Sequence, residues 1–191
     1  EPHLPLHHHR SAMYACGDTV VYRHHVCEVA ALRENYFEGK DYLELRALFE
    51  NSLKLFVAVD EATPDNLRPI MSKRAALALI DSIVDADTID ENALKPDAPT
   101  PTLLERRMKE EYDKRLRTFA PEDLVPIMKS VHERTVRRVD SGRRITATDK
   151  KYFDLAEGLL CDELAVSLAV PRENVKDVLV ERVKRAEALR R

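Results

Sequence analysis

The chain has 191 residues, of which 44% are hydrophobic and 34% are charged, and its formal net charge is −3. This composition suits one or two domains with hydrophobic cores, and no apolar run reaches the roughly 18 residues that a membrane-spanning helix needs. Its three cysteines are irregularly spaced and form no disulfide framework, so we predict a cytoplasmic protein that does not bind a membrane.

The first residues, EPHLPLHHHRSA, include three consecutive histidines. We interpret residues 1–12 as an expression tag or a disordered segment that precedes a native start at Met13. They are therefore left out of the fold prediction.

Residues 13–70 show the pattern of short antiparallel strands. The β-branched segments TVVY and VCEVAAL are separated by the polar residues RHH. In YLELRAL and LKLFVAV every second residue is apolar, which indicates strands with one buried face. Four or five such strands in this range predict a small barrel-like sheet.

After Pro69 the apolar residues follow helical spacing. Ser72 can cap a helix that runs to about Val84. The acidic segment 85–101 contains three prolines and is interpreted as a linker, so residues 71–101 are predicted as a helix followed by a linker.

Residues 102–191 are predicted to form three or four helices, which makes the fold class α+β, a small antiparallel β-barrel followed by an all-α domain. Thr146 and Asp149 resemble a capping box before a helix that ends near Ala169. The first of these helices has a core stripe at Leu104, Met108, Tyr112, Leu116 and Phe119.

The segment RHHVC contains two adjacent histidines and a cysteine, His24, His25 and Cys27. A zinc site needs three or four ligands that converge from separate turns, and no second ligand pair lies nearby in the sequence. Neighbouring residues on a strand also point to opposite faces. We interpret the segment as a polar turn followed by a strand with a buried cysteine, and a metal site is the alternative.

Sequence signatures of enzymes are absent. With four glycines in the whole chain, no glycine-rich nucleotide-binding loop can be written, and neither GxSxG nor HExxH occurs. We therefore predict a protein that is not an enzyme and needs no cofactor, metal or small-molecule substrate.

The segment LLERRMKEEYDKRLR contains six basic and four acidic residues. Each acidic residue, beginning with Glu105, has a basic residue four positions later, which is typical of an ordinary solvated helix. A second basic cluster in ERTVRRVDSGRR has fewer acidic residues and favours an anionic partner.

Three segments of the chain, in this order, resemble the CarD family of bacterial transcription regulators. They are GDTVVYRHH, NLRPIMSKRAALALIDSI and ATDKKYFDLAEGLLCDELAVSLAVPRENV. The resemblance extends from about Tyr14 to about Leu179. It implies that residues 13–70 form a Tudor or SH3-like barrel that binds the β subunit of RNA polymerase, and that residues 102–191 form a helical domain that contacts promoter DNA.

The same barrel module occurs in transcription-repair coupling factors, whose strand resembles KLFVAVDE. Family members bind the polymerase by adding a strand edge, so the resemblance implies a contact at Lys54, Leu55, Phe56 and Val57. Lys54 and Phe56 would flank this contact on the face opposite Leu55 and Val57. Because some family members carry an arginine at the position of Phe56, we expect a more apolar contact here.

The helical half of the family contacts DNA just upstream of the melted region and stabilises the open promoter complex. The resemblance implies DNA contacts at Arg106, Arg107 and Lys109, and the second basic cluster adds Arg137 and Arg138. Family members also carry a tryptophan here that wedges into the minor groove. This chain has no tryptophan, and Leu104 stands near that position. Leu104 also fits the core stripe of its own helix, and that role is favoured over a wedge.

The sequence therefore predicts a regulator that bridges the RNA polymerase β subunit and promoter DNA without sequence specificity. The alternative is a polymerase-binding interaction module that does not contact DNA.

Overall fold

The structure is a computed structural model that describes residues 14–191, so the predicted tag at 1–12 and the predicted start at Met13 lie outside it. The chain divides into two compact units, one ending at Ile70 and one comprising Met71–Arg191. The first contains an antiparallel sheet and the second contains the helices, which confirms the α+β class and the order of strands before helices. Within the described residues, no helix is long and apolar enough to span a membrane.

Five strands form one sheet in the order β4-β3-β2-β1-β5. All neighbouring strands run antiparallel, so β4 and β5 are the two edges of this sheet. The strands are β1 (Thr19–Tyr22), β2 (His25–Phe37), β3 (Lys40–Ala47), β4 (Lys54–Ala58) and β5 (Leu67–Pro69).

One face of the sheet forms the core of the strand unit. The alternation in β3 and β4 predicts that Leu43, Leu45 and Val57 are buried, and each is at most 4% exposed. Cys27 and Val29 of β2 pack in the same cluster. The period-two pattern therefore predicted these core positions correctly, although Glu44 and Ala58 of the predicted opposite face are also buried.

The segment interpreted as a linker, 85–101, folds as part of the helical unit. It contains a short helix, α2 (Glu91–Leu94), and Ile89 is buried in the helical core. Pro96 and Pro101 lie at the starts of a 3-10 turn and of the next helix, where the missing amide hydrogen has no intrahelical acceptor. Two of the three prolines that suggested a linker thus begin helical turns, and Pro99 lies between them outside any helix.

The other helices begin close to their predicted caps. Ser72 and Thr146 accept hydrogen bonds from backbone amides in the first turns of α1 and α5, as predicted. Pro126 lies in the first turn of α4, where it removes no internal hydrogen bond. The helices are α1 (Lys73–Ser82), α3 (Pro101–Leu116), α4 (Leu124–Asp140), α5 (Ala147–Ser167) and α6 (Val175–Ala188).

A buried polar network connects four helices around Arg134 of α4. Arg134 Nε donates to Asp149 Oδ2 of α5 at 2.8 Å, and the Tyr112 hydroxyl of α3 donates to Asp149 Oδ1 at 2.8 Å. The two terminal guanidinium nitrogens donate to Glu91 of α2 and Glu105 of α3. Arg134 is 6% exposed and Asp149 is fully buried. Each nitrogen of the buried cation therefore has an acidic partner, as a charge in a protein core requires.

The network holds Arg134 and Tyr112 in defined protonation states. Burial opposes the charge of Arg134, but its hydrogen bond to Asp149 raises the pKa of the guanidinium above its ordinary value. Burial and the adjacent Asp149 also raise the pKa of Tyr112. Arg134 stays charged, and Tyr112 remains a hydrogen-bond donor, throughout the neutral pH range.

We expect Arg134→Leu to lower the free energy of unfolding by roughly 3–5 kcal/mol, because Asp149 would stay buried without its cation. Urea unfolding followed by circular dichroism measures this change. Arg137→Leu is the matched control, because Arg137 binds the same Glu91 from an exposed position, and we expect it to cost less than about 1 kcal/mol. Equal, small losses in both variants would contradict a structural role for the network.

Candidate functional site

His24, His25 and Cys27 lie in a tight turn and the strand that follows it. Arg23 and His24 have φ angles of 50° and 84°, as the two central residues of a two-residue hairpin turn between β1 and β2 require. His25 Nδ1 lies 2.9 Å from Glu50 Oε2, and Cys27 is buried. Among residues 14–191, no three His, Cys, Asp or Glu side chains are grouped closely enough to hold a metal ion.

The thiol of Cys27 is in an environment that suppresses its reactivity. Burial, with a smaller effect of the negative charge of Glu50, raises the pKa of this thiol to about 12. Burial also raises the pKa of Cys161. Because the thiolate is the reactive species, both cysteines should be unreactive at neutral pH.

Strand β4 has an unpaired backbone edge. It pairs with β3 on one side, and no other strand of the described chain pairs with it. The carbonyl of Leu53 accepts a hydrogen bond from β3. Because backbone groups alternate in direction along an antiparallel ladder, Leu55 and Val57 also face β3. The amide and carbonyl groups of Lys54 and Phe56 therefore point to the free edge.

A cluster of aromatic rings, two exposed and one half-buried, lies beside this edge. The Phe56 ring, 41% exposed, stacks on the Tyr36 ring with a centroid distance of 5.3 Å and an interplanar angle of 3°. The Tyr36 and Tyr42 rings also pack in a T-shaped arrangement with a centroid distance of 5.9 Å. We call Tyr36, Tyr42 and Phe56 the aromatic cluster. Because stacking already restricts these rings, a partner that covers them would lose little side-chain entropy.

The four predicted polymerase-binding residues differ in what they can offer to a partner. Lys54 and Phe56 are exposed, Leu55 is half-buried, and the side chain of Val57 lies in the core. A partner strand could therefore meet the side chains of Lys54 and Phe56 and their outward backbone groups, whereas Val57 supports the strand from inside.

Sequence reasoning missed Tyr36 and Tyr42. Tyr42 alternates with Leu43 and so falls on the outer face, but Tyr36 reaches Phe56 only because the pairing of β2 with β3 shifts register between Arg33 and Phe37. The sequence feature that could have indicated this cluster is the aromatic pair Tyr36-Phe37 just before the turn at Gly39. Aromatic rings at the tip of a hairpin lie far from the core and are therefore expected on the surface.

The acidic residues of α3 mostly bind groups other than their predicted partners. Of the four predicted pairs, Glu111–Arg115 forms at 2.7 Å. Glu105 binds the buried Arg134, and Asp113 accepts a hydrogen bond from a tyrosine of α5. Glu110 pairs with the residue three positions before it, Arg107.

These pairings leave the outer face of α3 with uncompensated positive charge. Arg106, Lys109, Lys114 and Arg117 are exposed, and none of them forms an ion pair within the described part of the chain. Arg107 is paired, but both partners are about half exposed, so the pair is weak. The predicted residues Arg106, Arg107 and Lys109 thus belong to a basic surface, which we call the α3 basic face.

Leu104, Arg137 and Arg138 lie elsewhere in the helical unit, in a pocket between the start of α3 and the end of α4. Leu104 is half-buried and is not among the residues packed in the helical core, although Met108 and Tyr112 of the same predicted stripe are fully buried. Leu104 thus lies at the margin of the core rather than inside it. The predicted core stripe does not extend to Leu104, because the start of α3 borders the pocket rather than another helix.

We expect one of the three cysteines, the exposed Cys16, to react with a thiol reagent in the native protein at neutral pH. Cys27 and Cys161 should react only after unfolding, because burial keeps their thiols protonated and inaccessible. Counting modified thiols by mass spectrometry, with a urea-unfolded sample as the control, measures this. Rapid native modification of Cys27 would contradict the buried strand position and reopen the question of a reactive site.

A scan against models of known protein families and a search of curated proteins both give no match to this chain. The resemblance to the CarD family therefore rests on the sequence segments quoted above. Its functional implications remain predictions.

Proposed function

We propose that the chain is a transcription regulator of the CarD type that binds the β subunit of bacterial RNA polymerase and contacts promoter DNA. In this proposal, the sheet of residues 14–70 curves into a Tudor-like barrel that stays open between β4 and β5. The protein acts in the cytoplasm without catalysing a reaction. The observation that carries the proposal is the free edge of β4, with the aromatic cluster beside it.

An exposed strand edge is suited to pairing with a strand of another protein. The outward amide and carbonyl groups of Lys54 and Phe56 can form backbone hydrogen bonds with an added strand, and the alternate side chains then determine specificity. Left open, such an edge is an aggregation hazard, and the charge of Lys54 is the kind of feature that limits it. The short β4 and its exposed lysine therefore fit an edge reserved for one partner.

The aromatic cluster supplies the apolar part of the proposed contact. Aromatic residues dominate the binding energy of many protein interfaces when they fill a pocket in the partner. Phe56 is held by Tyr36 at the edge itself, so an incoming strand would cover both rings. This agrees with a contact that is more apolar than one built on an arginine at position 56.

The α3 basic face supports the proposed contact with DNA. Arg106, Lys109, Lys114 and Arg117 extend over about 16 Å of helix, and each lacks an acidic partner within residues 14–191. Lysine and arginine side chains in such an array bind phosphates and release counterions, without reading the base sequence.

The second candidate function is a polymerase-binding module that does not contact DNA. The absence of tryptophan favours it, because the chain lacks the aromatic wedge of the family. Leu104 lines a pocket, and its smaller side chain would unstack bases less effectively.

We expect Phe56→Ala to weaken binding to a purified fragment of the RNA polymerase β subunit by about 30-fold. A loss of this size is typical when an aromatic residue at the centre of an interface is removed. Isothermal titration calorimetry with the full chain measures the affinity. Phe49→Ala is the matched control, because Phe49 is also exposed but is not in the aromatic cluster.

Lys54→Pro tests the backbone contact separately. Proline removes the outward amide hydrogen and is tolerated at the first residue of an edge strand. We expect it to weaken binding about tenfold more than Lys54→Ala, which removes only the side chain. Equal affinities in these two variants would exclude strand addition at this edge.

We expect the protein to lengthen the lifetime of the open promoter complex at saturating polymerase and to bind duplex DNA more weakly as salt increases. Lys109→Gln should lower the slope of log K against log salt by about 1, because one phosphate contact is lost. Lys184→Gln, at an exposed lysine of α6, is the control. An unchanged lifetime and no salt-dependent DNA affinity, with polymerase binding intact, would favour the second candidate.

A further inference from the structure

The pocket between the start of α3 and the end of α4 has the size and lining of a ligand site. Its volume is about 700 Å³, within the roughly 300–1,000 Å³ of small-molecule sites. It is bounded by the loop before α3, the first turn of α3, the last turn of α4 and the turn that leads to α5. We propose that this pocket binds a nucleotide, with its phosphates at Arg138 and Arg143 and its base against the wall formed by Pro99, Pro101 and Leu104.

The cationic side of the pocket is formed largely by side chains without acidic partners. Lys95, Arg138 and Arg143 line it, and none of them forms an ion pair among residues 14–191. Arg138 Nε donates to the carbonyl oxygen of Arg144 at 2.7 Å. This bond orients the guanidinium group and leaves its two terminal nitrogens for a phosphate, which arginine can bind through two parallel hydrogen bonds.

The two acidic residues of the pocket are paired with arginines. Glu91 and Glu105 both bind the buried Arg134, and Glu91 also binds Arg137. The lining therefore contains five basic and two acidic side chains. Even when Asp149, which binds Arg134 from the core, is counted with them, the net charge is positive. An anion in the pocket would thus meet an attractive potential.

One part of the pocket wall is apolar. Pro99, Pro101 and Leu104 contribute hydrocarbon surface to it, whereas Ala98 is almost fully buried. A bare phosphate would leave this wall in contact with water, whereas a planar base would cover it. A lining that combines cationic and apolar surfaces matches a molecule that has phosphates at one end and a ring at the other.

The concave shape distinguishes this site from the α3 basic face. Arg106, Lys109, Lys114 and Arg117 do not line the pocket, and they lie on an exposed helix surface that suits the outside of a duplex. The inference therefore goes beyond the proposed DNA contact of that face. Because Arg137 and Arg138 were also predicted as DNA contacts, a bound nucleotide would compete with DNA at these two residues.

The test is a calorimetric titration of the full chain, without polymerase or DNA, in buffer free of magnesium. The ligands are GTP, ATP and inorganic pyrophosphate. We expect saturable binding of one nucleotide per chain, with pyrophosphate several-fold weaker because it lacks a base. Absence of saturable binding by both nucleotides, or a pyrophosphate affinity equal to theirs, would overturn the proposal.

Two variants at adjacent positions, Arg143 and Arg144, form a matched pair. Arg143→Gln should weaken nucleotide binding about tenfold. Arg144→Gln removes the same charge from a residue that does not line the pocket and keeps the carbonyl that Arg138 needs, so we expect unchanged affinity. Equally weakened nucleotide binding in both variants would mean that the affinity depends only on the overall charge of the protein. This result would overturn the proposed binding site.

A second arm separates a free nucleotide from the phosphates of DNA. If Arg143→Gln lowers the affinity for a short duplex more than Arg144→Gln does, while neither nucleotide binds, the pocket holds a backbone phosphate and the nucleotide proposal is wrong. If GTP displaces the duplex from the parent protein and from Arg144→Gln, but not from Arg143→Gln, the proposal stands. Neither result depends on whether the chain binds RNA polymerase.

Discussion

The buried ion network around Arg134 is the interaction on which the helical unit depends. It joins residues of four helices that are far apart in sequence, and its loss would leave a carboxylate in the core. It also affects two surfaces. By binding Glu105, it removes the predicted partner of Lys109 on the α3 basic face. By binding Glu91 and Glu105 together, it offsets part of the negative charge of the pocket. An interaction in the core thus determines how much positive charge remains for ligands outside.

Much of the fold could be predicted because it is encoded over short distances. The buried face of β3 and β4 followed from alternation at a period of two, and the starts of α1 and α5 followed from Ser72 and Thr146. These signals depend on residues within one turn or one strand of each other. The segment 85–101 was misread because proline has two opposite meanings. It breaks a helix from inside, but it is favoured at the first helical position, and spacing alone does not distinguish the two.

The candidate sites could be predicted less completely, because they depend on pairings between distant residues. Asp149 was identified from the sequence as part of a capping box, yet its carboxylate binds Tyr112 and Arg134 instead of closing that box. Phe56 was predicted to be exposed, but its stack with Tyr36 requires an irregular register in the hairpin of β2 and β3. Three of the four ion pairs that the spacing allows in α3 do not form, for the same reason. Local spacing shows which charges can pair, and tertiary contacts determine which of them do.

The division of the chain at Ile70 also matters for how weak contacts can act. Each unit has its own core, and one continuous polypeptide joins them. Under the proposed function, a unit that binds the polymerase would hold the other at an effective concentration in the millimolar range near the promoter. At such a concentration a DNA contact with a millimolar dissociation constant would be about half occupied. Under that proposal the protein would not need to bind DNA tightly, because the avidity of the two contacts together, rather than either affinity alone, would determine where it acts.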